Sequence, residues 1–378
     1  MKLHILDILA SFKSLGVTNQ VIQGLEGLSI FEPTEIQVQS IPRLIKSRID
    51  FIGIAHTGTG KTAAYSIPII QNIDFTEPKI QALILCPTRE LGKQIAKQIF
   101  KLTKYTEKIF VEAVYGGEKI EAQISSLRRK THILVATPGR LLDLQRRKVV
   151  DLRQLNTVVL DEADEMLSFG FKKDLDLILE QTSRACNIWL FSATMPKEII
   201  QIINNYMDPE AVKVEVNKGQ KFNPDIAHQY AICDQDQKIE ALIFFLKSHK
   251  KERGIIFCKT KRATKQLQDQ LTARNYQVGC IHGDLKQIER NKVMRAFKGD
   301  KLKVLIATDI SARGIDVDNL AYVFHYQLPD QVEYYIHRSG RTARAGKKGV
   351  SILLIAPKEA KYMKLISKQL HIEFKQLQ

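Results

Sequence analysis

Short apolar, β-branched runs separated by helix-like segments set the strongest limit on what this chain can fold into. They are Phe51–Ala55, Ala82–Cys86, Val111–Tyr115, Ile133–Ala136, Val158–Leu160 and Ile188–Phe191. A second series follows: Gln229–Cys233, Gly254–Cys258, Val278–Ile281, Val304–Ala307, Tyr322–Tyr326 and Val350–Ile355. Runs this short and this uniformly apolar predict strands buried on both faces, and the helical segments between them predict parallel sheets with helices on both sides. Two series predict two α/β domains, which a chain of 378 residues accommodates. The polar stretch 217–224, carrying Gly219 and Pro224, predicts a linker between domains over 1–216 and 225–378.

Composition narrows the class. The chain is 44% hydrophobic and 26% charged, the balance of a soluble globular protein. No apolar run reaches the ~18 residues of a membrane helix, and Asp7 interrupts the apolar start Met1–Leu9, which lacks a signal-peptide layout. Cys86, Cys186, Cys233, Cys258 and Cys280 are scattered and odd in number, which argues against a disulfide framework and a cysteine zinc site and predicts a reducing, cytoplasmic home. The net charge is +16, and its placement is uneven. Residues 1–216 hold 27 basic and 25 acidic side chains, whereas residues 217–378 hold 30 and 16, a surplus of +14. That surplus predicts a polyanionic partner.

In open parallel sheets, ligands bind at the carboxyl ends of the strands. After the first run comes Ala55-His56-Thr57-Gly58-Thr59-Gly60-Lys61-Thr62, leading into the helix-like Ala63–Ile70. Glycines let successive N–H groups face a phosphate, and a helix N-terminus adds a positive dipole. Lys61 can reach β- and γ-phosphates, and the Thr62 hydroxyl can ligate Mg²⁺. After Leu160 comes Asp161-Glu162-Ala163-Asp164. A carboxylate at a strand tip, Asp161, can hold Mg²⁺ through water, and the next, Glu162, can orient or deprotonate an attacking water.

Together these residues resemble the DEAD-box RNA helicases of superfamily 2, over about residues 12–355. The loop 55–62 is similar to motif I in its family form A-x-T-G-x-G-K-T, Asp161–Asp164 spells motif II, and Ser192-Ala193-Thr194 resembles motif III. Pro33-Thr34-Glu35-Ile36-Gln37, with Phe12 upstream, resembles the adenine-recognising Q motif. The resemblance implies two tandem RecA-like domains of the P-loop NTPase type, with ATP and Mg²⁺ as cofactors and RNA as partner. It places Phe12, Thr34, Gln37, Thr57, Gly58, Thr59, Gly60, Lys61, Thr62, Gly314 and Asp316 at the nucleotide, Thr62 and Asp161 at the metal, and Ser192 and Thr194 in coupling hydrolysis to RNA. A Gln amide can bond adenine N6 and N7, and a Phe ring can stack on the base.

RNA contacts implied by the resemblance are Pro87, Arg89, Gly117, Thr137 and Arg140 in the first domain, and Thr260, Gly283, Arg290 and Thr308 in the second. His337-Arg338-Ser339-Gly340-Arg341-Thr342-Ala343-Arg344 resembles motif VI. Three arginines are expected on one short helix face, with Arg341 and Arg344 as arginine fingers and His337 beside them in the catalytic set. Departures from the family pattern occur at Ser29, Ile30, His325, Gln327, Ser339 and Ala343, and these bear on interdomain coupling rather than on the reaction. The expected activity is RNA-stimulated ATP hydrolysis that drives local, non-processive unwinding by a monomer. An ATP-gated RNA clamp and a DNA-directed helicase of the same superfamily are the alternatives.

Overall fold

The structure is a computed structural model that describes residues 11–56, 58–216, 225–312, 320–343 and 347–377. Thr57, Gly314, Asp316 and Arg344, and the predicted linker 217–224, lie outside the described residues. The chain separates into two compact units, Met1–Lys218 and Gly219–Gln378.

The first unit holds strands β1 Phe51–Ile54, β2 Ala82–Leu85, β3 Val111–Val114, β4 Ile133–Ala136, β5 Thr157–Asp161, β6 Asn187–Ser192 and β7 Val212–Glu215. They form one parallel sheet in the order β3-β4-β2-β5-β6-β1-β7. Alternate residues of each strand feed separate cores, as the pleat requires. Phe51, Ala82 and Ile84 join one core with the helix Lys61–Asn72, while Ile52, Ile54, Leu83 and Leu85 join the other. Gly53 is a close-approach position, since a Cβ there would sit 2.8 Å from the Phe191 ring.

The second unit repeats the plan with β8 Ile226–Ile232, β9 Gly254–Phe257, β10 Val278–Ile281, β11 Val304–Ala307, β12 Tyr322–His325, β13 Gly349–Ile355 and β14 Lys375–Gln376. The parallel order is β10-β11-β9-β12-β13-β8-β14. The fold class expected from the sequence is therefore the one observed. The strands that hydrophobic runs did not announce are β7 and β14, both at sheet edges. β7 reads Val-Lys-Val-Glu with one buried position, and β14 has two exposed residues. An edge strand loses the apolar signal because one side faces water.

One sequence expectation is corrected here. Arg338 and Arg341 do not share a helix face, because the helix Val332–Ser339 stops before Arg341. Thr342 instead bridges to Leu320, and Ala343 takes a left-handed backbone at φ 53°. Arg338 is turned inward, with 1% of its surface exposed. Its Nε and Nη2 donate to the two carboxylate oxygens of Asp309 at 2.5 and 2.7 Å, and Nη1 donates to the Gln327 carbonyl at 2.8 Å. A buried guanidinium needs this pairing, since an uncompensated one is severely destabilising.

The departures at His325 and Ser339 supply the rest of this buried polar cluster. Arg338 Nη1 lies 3.4 Å from His325 Nδ1, and His325 Nε2 lies 3.0 Å from Ser351 Oγ. A donating guanidinium makes Nδ1 the acceptor, so His325 is neutral with its proton on Nε2, donated to Ser351. Ser339 Oγ sits 2.8 Å from Ser351 Oγ, and His228 Nδ1 sits 2.7 Å from the Tyr335 hydroxyl. Burial holds His325 well below the usual imidazole range, with repulsion from Arg338 and His228 adding to it. Burial also pushes His228 down to about 4.

Both imidazoles stay neutral in the folded unit while their unfolded counterparts protonate below pH ~6.5. Stability is therefore full above that pH and falls as pH drops from 6.5 toward 4. His228 alone costs about 2 kcal/mol at pH 5 relative to pH 8. Denaturant unfolding at the two pH values measures this, and His228→Phe is expected to flatten the dependence.

Candidate functional site

The backbone ladder assembles the site. β6 lies between β5 and β1, with Ile54 opposite Ser192 and Asp161 opposite Phe191. Three strand tips separated widely in sequence therefore end side by side. Ala55 extends the pairing through its N–H to the Ser192 carbonyl at 3.0 Å.

Beyond β1, Gly58 and Gly60 take left-handed backbones at φ 85° and 89°, which glycine alone tolerates freely. A Cβ on Gly60 would also stand 2.3 Å from Gln37 Nε2. The Thr59 hydroxyl donates to the His56 carbonyl at 2.8 Å, closing the loop, and the helix begins at Lys61. Lys61 is 6% exposed, and its ammonium donates to the Ala55 carbonyl at 2.7 Å. Thr62 follows it in the first turn of the same helix.

Asp161 ends β5 almost fully buried. Its Oδ1 accepts the Glu162 N–H at 3.0 Å, and its Oδ2 accepts the Tyr65 hydroxyl at 2.8 Å. Burial raises this carboxyl above the usual range, and the Lys61 ammonium, the Tyr65 hydroxyl and the Glu162 amide pull against that rise. Glu162 takes a left-handed backbone at φ 50° and leads directly into the helix Ala163–Ser168.

Tyr65 is the residue that motif reading missed. It is fully buried, and its hydroxyl also interacts with the Thr62 side chain. The signal was present: position 65 lies four after Lys61 and so on the same helix face, and a phenol stands in an otherwise apolar segment.

Gln37 is 2% exposed, and both ends of its amide are engaged. Oε1 accepts the Thr34 N–H and Nε2 donates to the Gly60 carbonyl, each at 3.0 Å. The amide orientation is thereby fixed, and Gln37 ties the loop at Gly60 to the helix Glu35–Lys46 that Thr34 caps. Phe12 packs in the apolar core at 4% exposure.

Asp164 joins the second and third strand tips. Its Oδ2 accepts both the Thr194 N–H at 2.9 Å and the Thr194 hydroxyl at 2.8 Å. The Ser192 hydroxyl donates to the Thr194 carbonyl at 2.7 Å and accepts the Asp164 N–H at 3.3 Å. Among the described residues no group of three or more His, Cys, Asp or Glu forms a metal cage.

The other half of the sheet, β3-β4-β2, carries Gly117, Thr137 and Pro87 just past its tips. Arg89 opens the helix that Thr88 caps, and its guanidinium packs so near Gly117 that a Cβ there would lie 2.8 Å from Nη1. Arg140 donates to Gln123 Oε1 at 2.7 Å and to the Glu118 carbonyl at 3.0 Å. Arg89 and Arg140 thus flank one turn. In the second unit, β10-β11-β9 present Gly283, Thr308 and Thr260 in the same way. Thr260 caps its helix, Thr308 Oγ1 donates to Ser311 Oγ at 2.9 Å, and Arg290 donates to the Ser311 carbonyl at 2.8 Å. His337 is half-buried near the end of its helix, and Arg341 is half-buried just past it.

Comparison with known proteins agrees with this geometry. Residues 34–202 match the DEAD/DEAH box helicase family, and residues 237–346 match the helicase conserved C-terminal domain. The chain is 38% identical over 361 residues to a DEAD-box ATP-dependent RNA helicase CshA of Bacillus cereus, covering 95% of this chain and 68% of the relative. It is 41% identical over 359 residues to an ATP-dependent RNA helicase CshA of Limosilactobacillus reuteri, covering 94% and 71%. Among solved structures, S. cerevisiae Dbp5 bound to RNA and ADP BeF3 superposes with a TM-score of 0.89 at 30% identity, covering 97% of this chain and 95% of that one.

Tyr65→Phe removes one hydroxyl and leaves the packing intact. It is expected to lower stability by about 2 kcal/mol, the worth of a buried hydrogen bond to a charged acceptor. It should also raise the Asp161 pKa further, since a group stabilising the carboxylate is removed. Denaturant unfolding and a carboxyl NMR titration check the two effects.

Proposed function

The chain belongs to the DEAD-box helicases, and on that premise we propose how its residues act in an ATP-dependent RNA helicase. The observation that carries the reading is the convergence of Lys61, Asp161 and the Asp164–Thr194 pair at the adjoining tips of β1, β5 and β6. Lys61 exchanges the Ala55 carbonyl for β- and γ-phosphate oxygens of ATP, a better partner for an ammonium because it is charged. Glu162 orients or deprotonates the attacking water.

The donors at hand for a cation are a hydroxyl, on Thr62, and a buried carboxylate whose second oxygen is already steadied by Tyr65. Both are hard oxygens and fit Mg²⁺, which keeps several waters of its own. When bound, Mg²⁺ would neutralise negative charge on the phosphates. Tyr65 keeps Asp161 in one orientation for that duty.

Gln37 reads adenine with what its fixed amide has left, one N–H and one oxygen lone pair. These match adenine N7 and N6, whereas guanine presents an acceptor at O6. Thr57, Gly58 and Thr59 line the phosphates, and Gly314 and Asp316 complete the nucleotide contacts from the second unit.

Arg89, Arg140, Pro87, Gly117 and Thr137, with Thr260, Gly283, Arg290 and Thr308, hold the RNA backbone. Such contacts position RNA without reading its sequence. The Asp164–Thr194 link carries the state of the phosphate site to the rest of the unit. Arg341, Arg344 and His337 belong to the catalytic set, so hydrolysis needs both units and is promoted by RNA that engages both. No described helix is long and apolar enough to cross a membrane, and we place the protein in the cytoplasm as a monomer that unwinds short duplexes locally.

Two variants separate binding from chemistry. Lys61→Ala is expected to abolish ATP hydrolysis. Glu162→Gln should hydrolyse poorly yet hold ATP and RNA longer than wild type, as read by RNA dissociation in the presence of ATP. Near-normal turnover in the first, or a wild-type dissociation rate in the second, contradicts the assignment.

Arg341→Ala tests the contribution of the second unit. An arginine finger is worth about 10³–10⁵ in rate in phosphoryl transfer, so turnover at saturating ATP and RNA should collapse. A residue that binds RNA alone would instead weaken RNA affinity and lower the salt slope by ~0.9. Steady-state ATPase with RNA titrated at several salt concentrations decides between them.

A further inference from the structure

The basic surplus of the second unit gathers on an edge of its sheet that the motifs do not use. Parallel register puts the residue preceding each strand at one end of the sheet. Lys303 precedes β11, Arg253 precedes β9 and Lys348 precedes β13, with strands in the order β11-β9-β12-β13. Strands lie ~4.8 Å apart, so these cations form a row spaced by one and two strand widths. Thr260, Gly283 and Thr308 lie past the other ends of four-residue strands, ~13 Å away along the strand direction.

Two adjoining hollows open along this row, of about 300 and 380 Å³. Lys247, Lys250, Lys251, Lys347 and Arg274 line them, Arg274 paired with Glu240 at 3.2 Å. Across both linings the eight cations face only two carboxylates, Glu252 and Asp300. Asp300 meets Arg253 at 3.7 Å and Lys303 at 3.4 Å. Lys247, Lys250, Lys251, Lys347 and Lys348 make no ion pair among the described residues, and a like-charged cluster of this density carries a repulsive cost that an anion removes. The floor of the second hollow includes Tyr322, 1% exposed, whose hydroxyl is buried without a hydrogen-bond partner. A buried donor with no acceptor is costly, and it lies beside the cations.

The fold does not demand cations there. At the same edge of the first unit, the residue preceding β1 is Asp50, which accepts the Ile188 and Asp208 N–H groups at 2.6 and 2.7 Å. The hollow beside it sets Arg48 and Arg184 against Asp50, Glu180, Asp208 and Glu210. Asp50 matches Asp225, which precedes β8, and the residues before β4, β2 and β6, the strands that match β11, β9 and β13, are His132, Gln81 and Cys186, so the shared plan does not itself call for a row of cations.

We propose that the edge formed by Arg253, Lys303 and Lys348, with Lys250, Lys251 and Lys347, is a second RNA-binding surface that holds the phosphate backbone of an RNA segment flanking the one held at the strand tips. Lysine ammonium groups are point charges suited to phosphates and carry no base-reading geometry. Lysine is depleted from protein–protein interface cores, which are built on exposed aromatic anchors that these linings lack.

The proposal rests on RNA being the ligand of this chain, so the test compares two RNAs. One is a single strand of about eight nucleotides, and the other joins the same strand to a ~20-base-pair duplex, with binding measured across salt. K250E/K251E and, separately, K347E/K348E are expected to bind the duplex-bearing RNA at least about 10-fold more weakly, with a salt slope smaller by ~0.9 for each phosphate no longer held. Affinity for the short strand, and ATPase at saturating short strand, should stay within about twofold of wild type, which also shows that the variants fold. K364E/K368E, on the exposed face of the helix Ala360–Leu370, makes the same change in net charge and should leave the preference for the long RNA intact.

An equal loss for both RNAs, or an equal loss in the helix control, would reduce the effect to overall field and overturn the proposal. Unchanged duplex affinity together with abolished binding to polyglutamate would overturn it in favour of an acidic protein. Wild type that binds neither RNA would bring down the helicase reading with it, whereas wild type that binds both and matches the variants would remove this surface alone.

Discussion

The hydrogen-bonded seating of β6 between β1 and β5 is the constraint on which the functional site depends. It brings the ends of three strands to one level, so that a glycine-bearing loop, an acidic tip and a Ser-Ala-Thr turn meet without any long side chain reaching across. Everything else at the site refines that placement. Gln37 braces the loop from behind, Tyr65 steadies the buried Asp161 carboxylate, and Asp164 clasps Thr194. Each acts over short hydrogen bonds because the backbone ladder has already done the gross positioning.

The second unit shows how a sequence can leave a family pattern and keep the structure that the pattern serves. His325, Ser339 and Ser351 surround a fully paired Arg338–Asp309 bridge and satisfy one another's polar atoms. Half-satisfied, such a cluster would destabilise the core, and completed, it fixes a single arrangement of the helix that carries His337. The departures at His325 and Ser339 therefore form a set, and each makes sense only beside the other.

Much of the fold was legible because the strands are buried on both faces. Runs such as Ile133–Ala136 and Val304–Ala307 coincide with the observed strands at both ends. Legibility failed where that burial fails, at the edge strands Val212–Glu215 and Lys375–Gln376. It failed differently at motif VI. An arginine spacing that suggests a helix face cannot reveal that the helix ends at Ser339, or that Arg338 offsets its desolvation by turning inward to Asp309. Tyr65 was overlooked because its apolar neighbours made it look like ordinary packing, although its hydroxyl is the part that matters.

The sequence by itself determined which residue types stand at the strand ends: Lys61 after glycines, Asp161 after Leu160, Ser192 after Phe191, and arginines after β2 and β4. These are local facts, set by alternating buried strands and the turns that follow them. Strand order decided the rest. Only the tertiary structure sorts the tips of β5, β6 and β1 to one half of the first sheet and those of β3, β4 and β2 to the other. Only parallel register lines up Lys303, Arg253 and Lys348 on one edge of the second sheet and sets Asp50 on the matching edge of the first. The physical reason is that strand pairing is a contact between segments far apart in the chain. Short apolar runs of similar length and composition carry almost no information about which of them will lie next to which.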